Sequence, residues 1–174
     1  MPAQITSCRV TKVSDGDTIH CKTHSKKYKV RLLYIDAPES SQTFGIESKK
    51  ALAQKILHKK VTLNITKKDH YGRTLAEIYL GTTNINLEMV KQGYAWEYRG
   101  LTLRKYTNAR YYAQDRKLGL WQYPNPIEPK VYRQQQKNEK PSLNTLLEDI
   151  MISLKKLLQL LVDILDAIKG FLNG

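Results

Sequence analysis

Val30-Arg31-Leu32-Leu33-Tyr34-Ile35-Asp36-Ala37-Pro38-Glu39 is the stretch on which the fold turns. Its β-branched and aromatic residues predict a strand that runs into a proline-stopped loop. Two-residue alternation puts Arg31, Leu33 and Ile35 on one face and Leu32, Tyr34 and Asp36 on the other. A guanidinium and two carboxylates therefore fall at and just past the end of an otherwise apolar strand. Alone, this reads as a salt-bridged strand end, because such charges enter a core only when paired or holding a metal.

The surroundings supply the other strands. Residues 5–14 and 17–23 flank Ser14-Asp15-Gly16-Asp17, an Asp-Gly turn signal, and Lys26 to Ile35 makes a third strand. Leu52, Ala53, Ile56 and Leu57 recur at helical spacing, predicting a helix from Ile46 to about His58. Val61 to Ile65 alternates as a fourth strand, and a polar loop leads to a fifth from Arg73 to Leu80. Asn84 is placed to cap a short helix, Ile85 to Lys91, ended by Gly93. A further helix is expected from Thr102 to Lys117. The order is α+β and fits a five-stranded OB-type β-barrel carrying three packed helices.

Pro124-Asn125-Pro126-Ile127-Glu128-Pro129 should break regular structure, and Arg133 to Pro141 reads as a polar linker. The expected division is a domain over 1–133, a linker over 134–141 and an amphipathic helix over 142–174. In that last segment Leu147, Ile150, Leu154, Leu157, Leu161, Ile164 and Ile168 share one side of an apolar arc of about 200°, wider than a surface helix needs. Lys155, Lys156, Asp163 and Asp166 interrupt the apolar run, which excludes a spanning helix. Three lysines stand there against four acids, so an anionic-membrane contact is less favoured than self-association or a partner helix. Packing back on its own domain is the plain alternative.

Composition sets the partner class. Lys and Arg number 29 against 16 Asp and Glu, a net +13, and polyanions are the natural partners of such a surface. A hairpin centred near Asp15-Gly16 would set Cys8 opposite position 23 or 24, so Cys8 and Cys21 are expected as free thiols. Met1 to Ser7 lacks the pattern of a signal peptide, and a cytoplasmic location is the default expectation. His20 and His24 beside Cys21 form an incomplete zinc set, and alternation turns Cys21 away from both histidines.

Three pieces stand in register: Asp15-Gly16-Asp17-Thr18, the stretch Val30 to Glu39, and Asp69-His70-Tyr71-Gly72-Arg73. Together they resemble the signature of the staphylococcal (micrococcal) nuclease family. The likeness runs from about Val10 to Trp121 and includes Phe44-Gly45-Ile46-Glu47 and Gly119-Leu120-Trp121. It implies a Ca²⁺-dependent endonuclease acting on DNA and RNA with little sequence preference and leaving 3′-phosphate ends. Asp17 and Asp36 would hold the metal with the main-chain carbonyl of Ala37. A site with two protein carboxylates suits Ca²⁺ completed by water, carbonyl and phosphate oxygens.

The resemblance casts Glu39 as general base for water, a role that needs hydrogen-bond reach. Arg31 and Arg73 would be the planar forks that grip the phosphate. Tyr71 looks placed to touch a terminal phosphate or sugar. Tyr94, Trp96 and Tyr98 sit where the family has base contacts, Tyr98 being the substrate-binding candidate, and core packing is the alternative for them. His70 stands where the family's reference member has lysine. The competing function is a catalytically silent OB-fold nucleic-acid-binding module with an interaction helix; retention of all five charged positions argues against it.

Overall fold

The computed structural model describes residues 4–98, 100, 103–139 and 143–172. The chain divides into two compact units, one ending at Tyr132 and one beginning at Arg133.

In the first unit β1 (Gln4–Asp15), β2 (Thr18–Lys22) and β3 (Lys27–Leu32) run antiparallel, and a tight turn leads to β4 (Ile35–Asp36). Helix α1 (Gly45–Ile56) precedes β5 (Lys60–Lys68) and β6 (Thr74–Leu80). Then β7 (Thr83–Asn84), α2 (Ile85–Lys91), β8 (Trp96–Glu97), α3 (Arg104–Asp115) and a 3₁₀ turn (Gly119–Gln122) follow. The strand order is β3-β2-β1-β5-β6, and β3 closes on β6 in parallel, Val30 opposite Thr74 and Leu32 opposite Ala76. Closure pairs the two ends of the five-stranded sheet with each other over these residues. Val10, Ile19, Val30, Leu63 and Ile78 fill the interior, with Leu52 of α1 and Met89 of α2 packed on them. The α+β, OB-type barrel expected from the sequence is the architecture observed.

Several local expectations need correction. The third strand does not reach Ile35: it stops at Leu32, because Tyr34 takes a left-handed conformation (φ 68°) and the chain turns before β4. The alternation that put Arg31 and Asp36 on opposite faces is thereby reset. Cys8 and Cys21 are not free but joined in a disulfide, Cα–Cα 5.7 Å. Cys21 faces Val10 across the hairpin and Cys8 is its diagonal neighbour; a bulge after Val10 adds local twist that brings the diagonal pair together. Such bonds persist in oxidising compartments. The stretch expected as a polar linker is helical up to Glu139: α4 (Pro129–Glu139) opens on Pro129, whose missing N–H costs nothing in a first turn. Thr102, the expected start of the helix observed as α3, lies outside the described residues.

The second unit is dominated by α5 (Leu143–Leu172). Its Leu154, Leu157, Leu158 and Leu161 are 49–63% exposed. No helix among the described residues is long and apolar enough to cross a membrane.

Candidate active site

Arg31 projects outward from the end of β3. Its Nη2 lies 3.0 Å from Asp17 Oδ2 and 2.9 Å from Asp36 Oδ1. Its Nη1 donates to the carbonyls of Leu32 (2.9 Å) and Ile35 (2.8 Å). One guanidinium thus ties the left-handed turn at Tyr34 to both carboxylates, each only 6% exposed. The two acid oxygens flank a single nitrogen.

Asp17 is held from several sides. Its Oδ2 accepts the Ala37 N–H at 2.7 Å, and its Oδ1 accepts the Thr18 hydroxyl at 3.1 Å. Its own N–H donates to Asp15 Oδ1 at 3.1 Å, closing an Asx turn over Gly16. A Cβ at Gly16 would strike the side chains of Ser48 and Ala37, so glycine lets this turn lie against the loop that follows β4. Burial pushes the Asp17 carboxyl up to about 7; Arg31 opposes the shift and Asp15 adds to it.

Glu39 is carried by the loop leaving this cluster. Its N–H donates to Gln42 Oε1 (3.2 Å), its carbonyl accepts the Gln42 N–H (2.9 Å), and Gln42 Nε2 donates to the Ile127 carbonyl (2.6 Å). A Cβ at Gly45 would collide with the Glu39 carbonyl, so the start of α1 packs directly under the Glu39 backbone.

Arg73 precedes β6. Since Arg31 faces Leu75, and Arg73 is two residues before Leu75, both arginines project from the outer barrel face on adjacent strands. Arg73 Nε lies 2.8 Å from Asp69 Oδ2, while Asp69 Oδ1 accepts the N–H groups of Arg73 (2.9 Å) and Tyr71 (3.0 Å). Desolvation raises the Asp69 carboxyl, but the hydrogen bonds from Arg73 outweigh it and leave it below the ordinary value. Tyr71 is 74% exposed, with the Arg73 guanidinium 5.6 Å from its ring and His70 at 3.9 Å.

Among the aromatics, Tyr94 stacks on Phe44 (5.7 Å) and Trp96 packs on Trp121 (4.4 Å). Tyr98 is half exposed, and its N–H donates to the Tyr34 carbonyl at 2.7 Å. Trp96 stands opposite Asp36 where β8 pairs with β4, which brings this segment beside the carboxylates.

Asp17, Arg31, Asp36 and Ala37 are therefore in direct contact; Glu39 shares their loop, Arg73 and Tyr71 come from the neighbouring strand's approach, and Tyr98 from the end of β8. No group of three or more His, Cys, Asp or Glu able to hold a metal occurs among the described residues. The incomplete zinc set stays so, with Cys21 consumed in its disulfide. A pair of desolvated carboxylates fits instead a hard cation that takes its remaining ligands from carbonyl, water and phosphate oxygens.

The sequence does not announce the residues that support the site. Asn86 is fully buried in α2; its Nδ2 donates to the carbonyls of Leu33 (2.9 Å) and Ala76 (3.1 Å), and its Oδ1 accepts the Ile78 N–H (3.0 Å). It pins the turn that aims Asp36. Asp15, Gln42 and Asp69 are further supports of this kind. Their only signal is the crowding of polar residues around each motif.

Residues 29–123 match the family model described as Staphylococcal nuclease homologue. A protein named Uncharacterized endonuclease of Haemophilus influenzae is 51% identical over 133 residues, covering 75% of each chain. A Micrococcal nuclease of Shigella flexneri is 38% identical over 143 residues, 74% of this chain and 81% of that one. An Uncharacterized endonuclease of Escherichia coli is 35% identical over 127 residues, 72% and 83% of the two chains. On fold, motif register and these likenesses, the chain belongs to the staphylococcal nuclease family.

Proposed function

We propose that the protein is a Ca²⁺-dependent endonuclease hydrolysing DNA and RNA with little sequence preference and leaving 3′-phosphate ends. The observation that carries this reading is the pair of buried carboxylates flanking Arg31, with Arg73 on the same outer face. Asp17, Asp36 and the Ala37 carbonyl would hold Ca²⁺, which when bound supplies positive charge against the phosphate and an ordered water.

The chain's own groups do the rest. Arg31 and Arg73 present planar forks to the phosphate oxygens and stabilise the charge that builds there. In the substrate-free protein Asp69 holds Arg73 ready, so little ordering is left for the moment of binding. Glu39 takes one proton of the attacking water as its oxygen bonds to phosphorus, the bond from phosphorus to the 5′-oxygen breaks, and the departing 5′-oxygen takes up a proton from solvent. These contacts address backbone rather than base edges, which gives affinity without sequence choice. Tyr71 and Tyr98 offer exposed rings on which a sugar or base can rest, a sequence-tolerant contact.

A second reading, a binding module without turnover, is favoured by one observation: carboxylates of the chain already engage both guanidiniums. Digestion of plasmid and RNA across Ca²⁺, Mg²⁺ and EDTA decides. The nuclease reading expects cleavage with Ca²⁺ that stops in EDTA; retained binding with no cleavage under any metal would establish the silent module.

A further inference from the structure

The outer face of β1, β2 and β3 carries three cross-strand rows. Nearest the candidate active site, Asp15, Thr18 and Arg31 lie side by side. The next row is Lys12, His20 and Lys29, and the one after it Arg9, Lys22 and Lys27. Their neighbours Val10, Val13, Ile19, Cys21 and Val30 are buried, so the second and third rows face solvent, whereas Thr18 of the first row is buried. No acidic residue occurs between Asp17 and Asp36. Like charges directly opposite each other destabilise a sheet, yet Lys22 stands between Arg9 and Lys27. Solubility would need lysines, but not lysines set against one another. An open groove of about 490 Å³ has Lys22, Lys27 and Lys29 in its lining, together with His20 and Tyr28. Along β3, Lys27, Lys29 and Arg31 are spaced by two residues, about 6.6 Å each.

We propose that this face is a second polynucleotide site, a track for the phosphates of a single strand whose neighbouring phosphate lies at Arg31. This rests on the nuclease reading, and the experiment separates the two. Binding of a labelled oligothymidylate in EDTA, which needs no turnover, is measured against salt for the wild type and for Lys22→Gln/Lys27→Gln/Lys29→Gln. The variant's log–log salt slope should be shallower by about 2, at roughly 0.7 for each phosphate no longer neutralised. Cleavage of a dinucleotide in Ca²⁺ should be unchanged, since it ends at Arg31. An unaltered slope overturns the track whatever the cleavage result; failure of the wild type to cleave in any metal overturns the nuclease reading and leaves the slope measurement standing.

Discussion

Arg31 bonds two carboxylates and two carbonyls at once, so its loss would take the neighbouring cation away from two buried acids. Its fork cannot be replaced by the point charge of lysine. Glu39 is separable from that scaffold, because its loop is fixed through backbone and Gln42 contacts. Glu39→Gln should lower kcat about 10²–10⁴-fold, the usual yield of a positioned base, with Ca²⁺ affinity by calorimetry largely kept. Asp17 gives a pH signature. Burial pushes its carboxyl up to about 7 from an ordinary 3.8. The folded state then holds a proton that the unfolded chain has released, so stability should fall as pH rises from about 4 to about 7 and level off above. Melting in EDTA across that range checks this; a midpoint that climbs through the window would contradict the raised value. At the proposed site Ca²⁺ would displace the same proton, so its affinity should rise over the same interval.

Individual elements show where sequence patterns suffice and where they fail. Strands β1, β2, β5 and β6 and helix α2 follow from alternation, helical spacing and the Asn84 cap, whose side chain accepts the Leu87 N–H at 3.0 Å. The break at Leu33-Tyr34 is illegible, since both residues suit a strand and only tertiary contacts make the turn worthwhile. Those contacts are Arg31 from one side and Asn86 from the other. The disulfide escapes a turn-based register because that register considers directly opposed pairs, whereas a bulged barrel uses the diagonal. Asn86→Ala would leave buried backbone groups without partners, destabilising by about 2–3 kcal/mol. In chemical denaturation that appears as a lower midpoint, and kcat should fall as well because the Asp36 turn loosens. Glu77 does similar work for α3, accepting from Lys105 (2.8 Å), Tyr106 (2.8 Å) and Asn84 (2.7 Å). Desolvation raises its carboxyl, yet these bonds prevail and leave it lowered. Its stabilisation is thus present above the ordinary carboxylate range and lost as pH drops through the lower folded value.

At the scale of the molecule, the charge asymmetry is the broad feature: the helix beyond residue 142 carries a net −1 and leaves +14 on the rest. The barrel is thus a polyanion-seeking body whose affinity should fall steeply with salt. The disulfide closes the first hairpin, a separation of 13 residues. Cys8→Ser/Cys21→Ser should cost about 3 kcal/mol, read from equilibrium unfolding, since removing the link frees the unfolded chain. The fold, the charged positions and their order along the chain are legible in the sequence; the mutual bonding of Asp17, Arg31 and Asp36 is not, because it depends on a turn that alternation does not announce. The proposed function requires Arg31 to act as a fork toward phosphate as well as a clasp for the carboxylates. The most direct test is single-turnover cleavage of an oligonucleotide by Arg31→Lys in saturating Ca²⁺. A rate reduced about 10²–10³-fold in a protein that still melts cooperatively is predicted; a rate within a few fold of the wild type would contradict it.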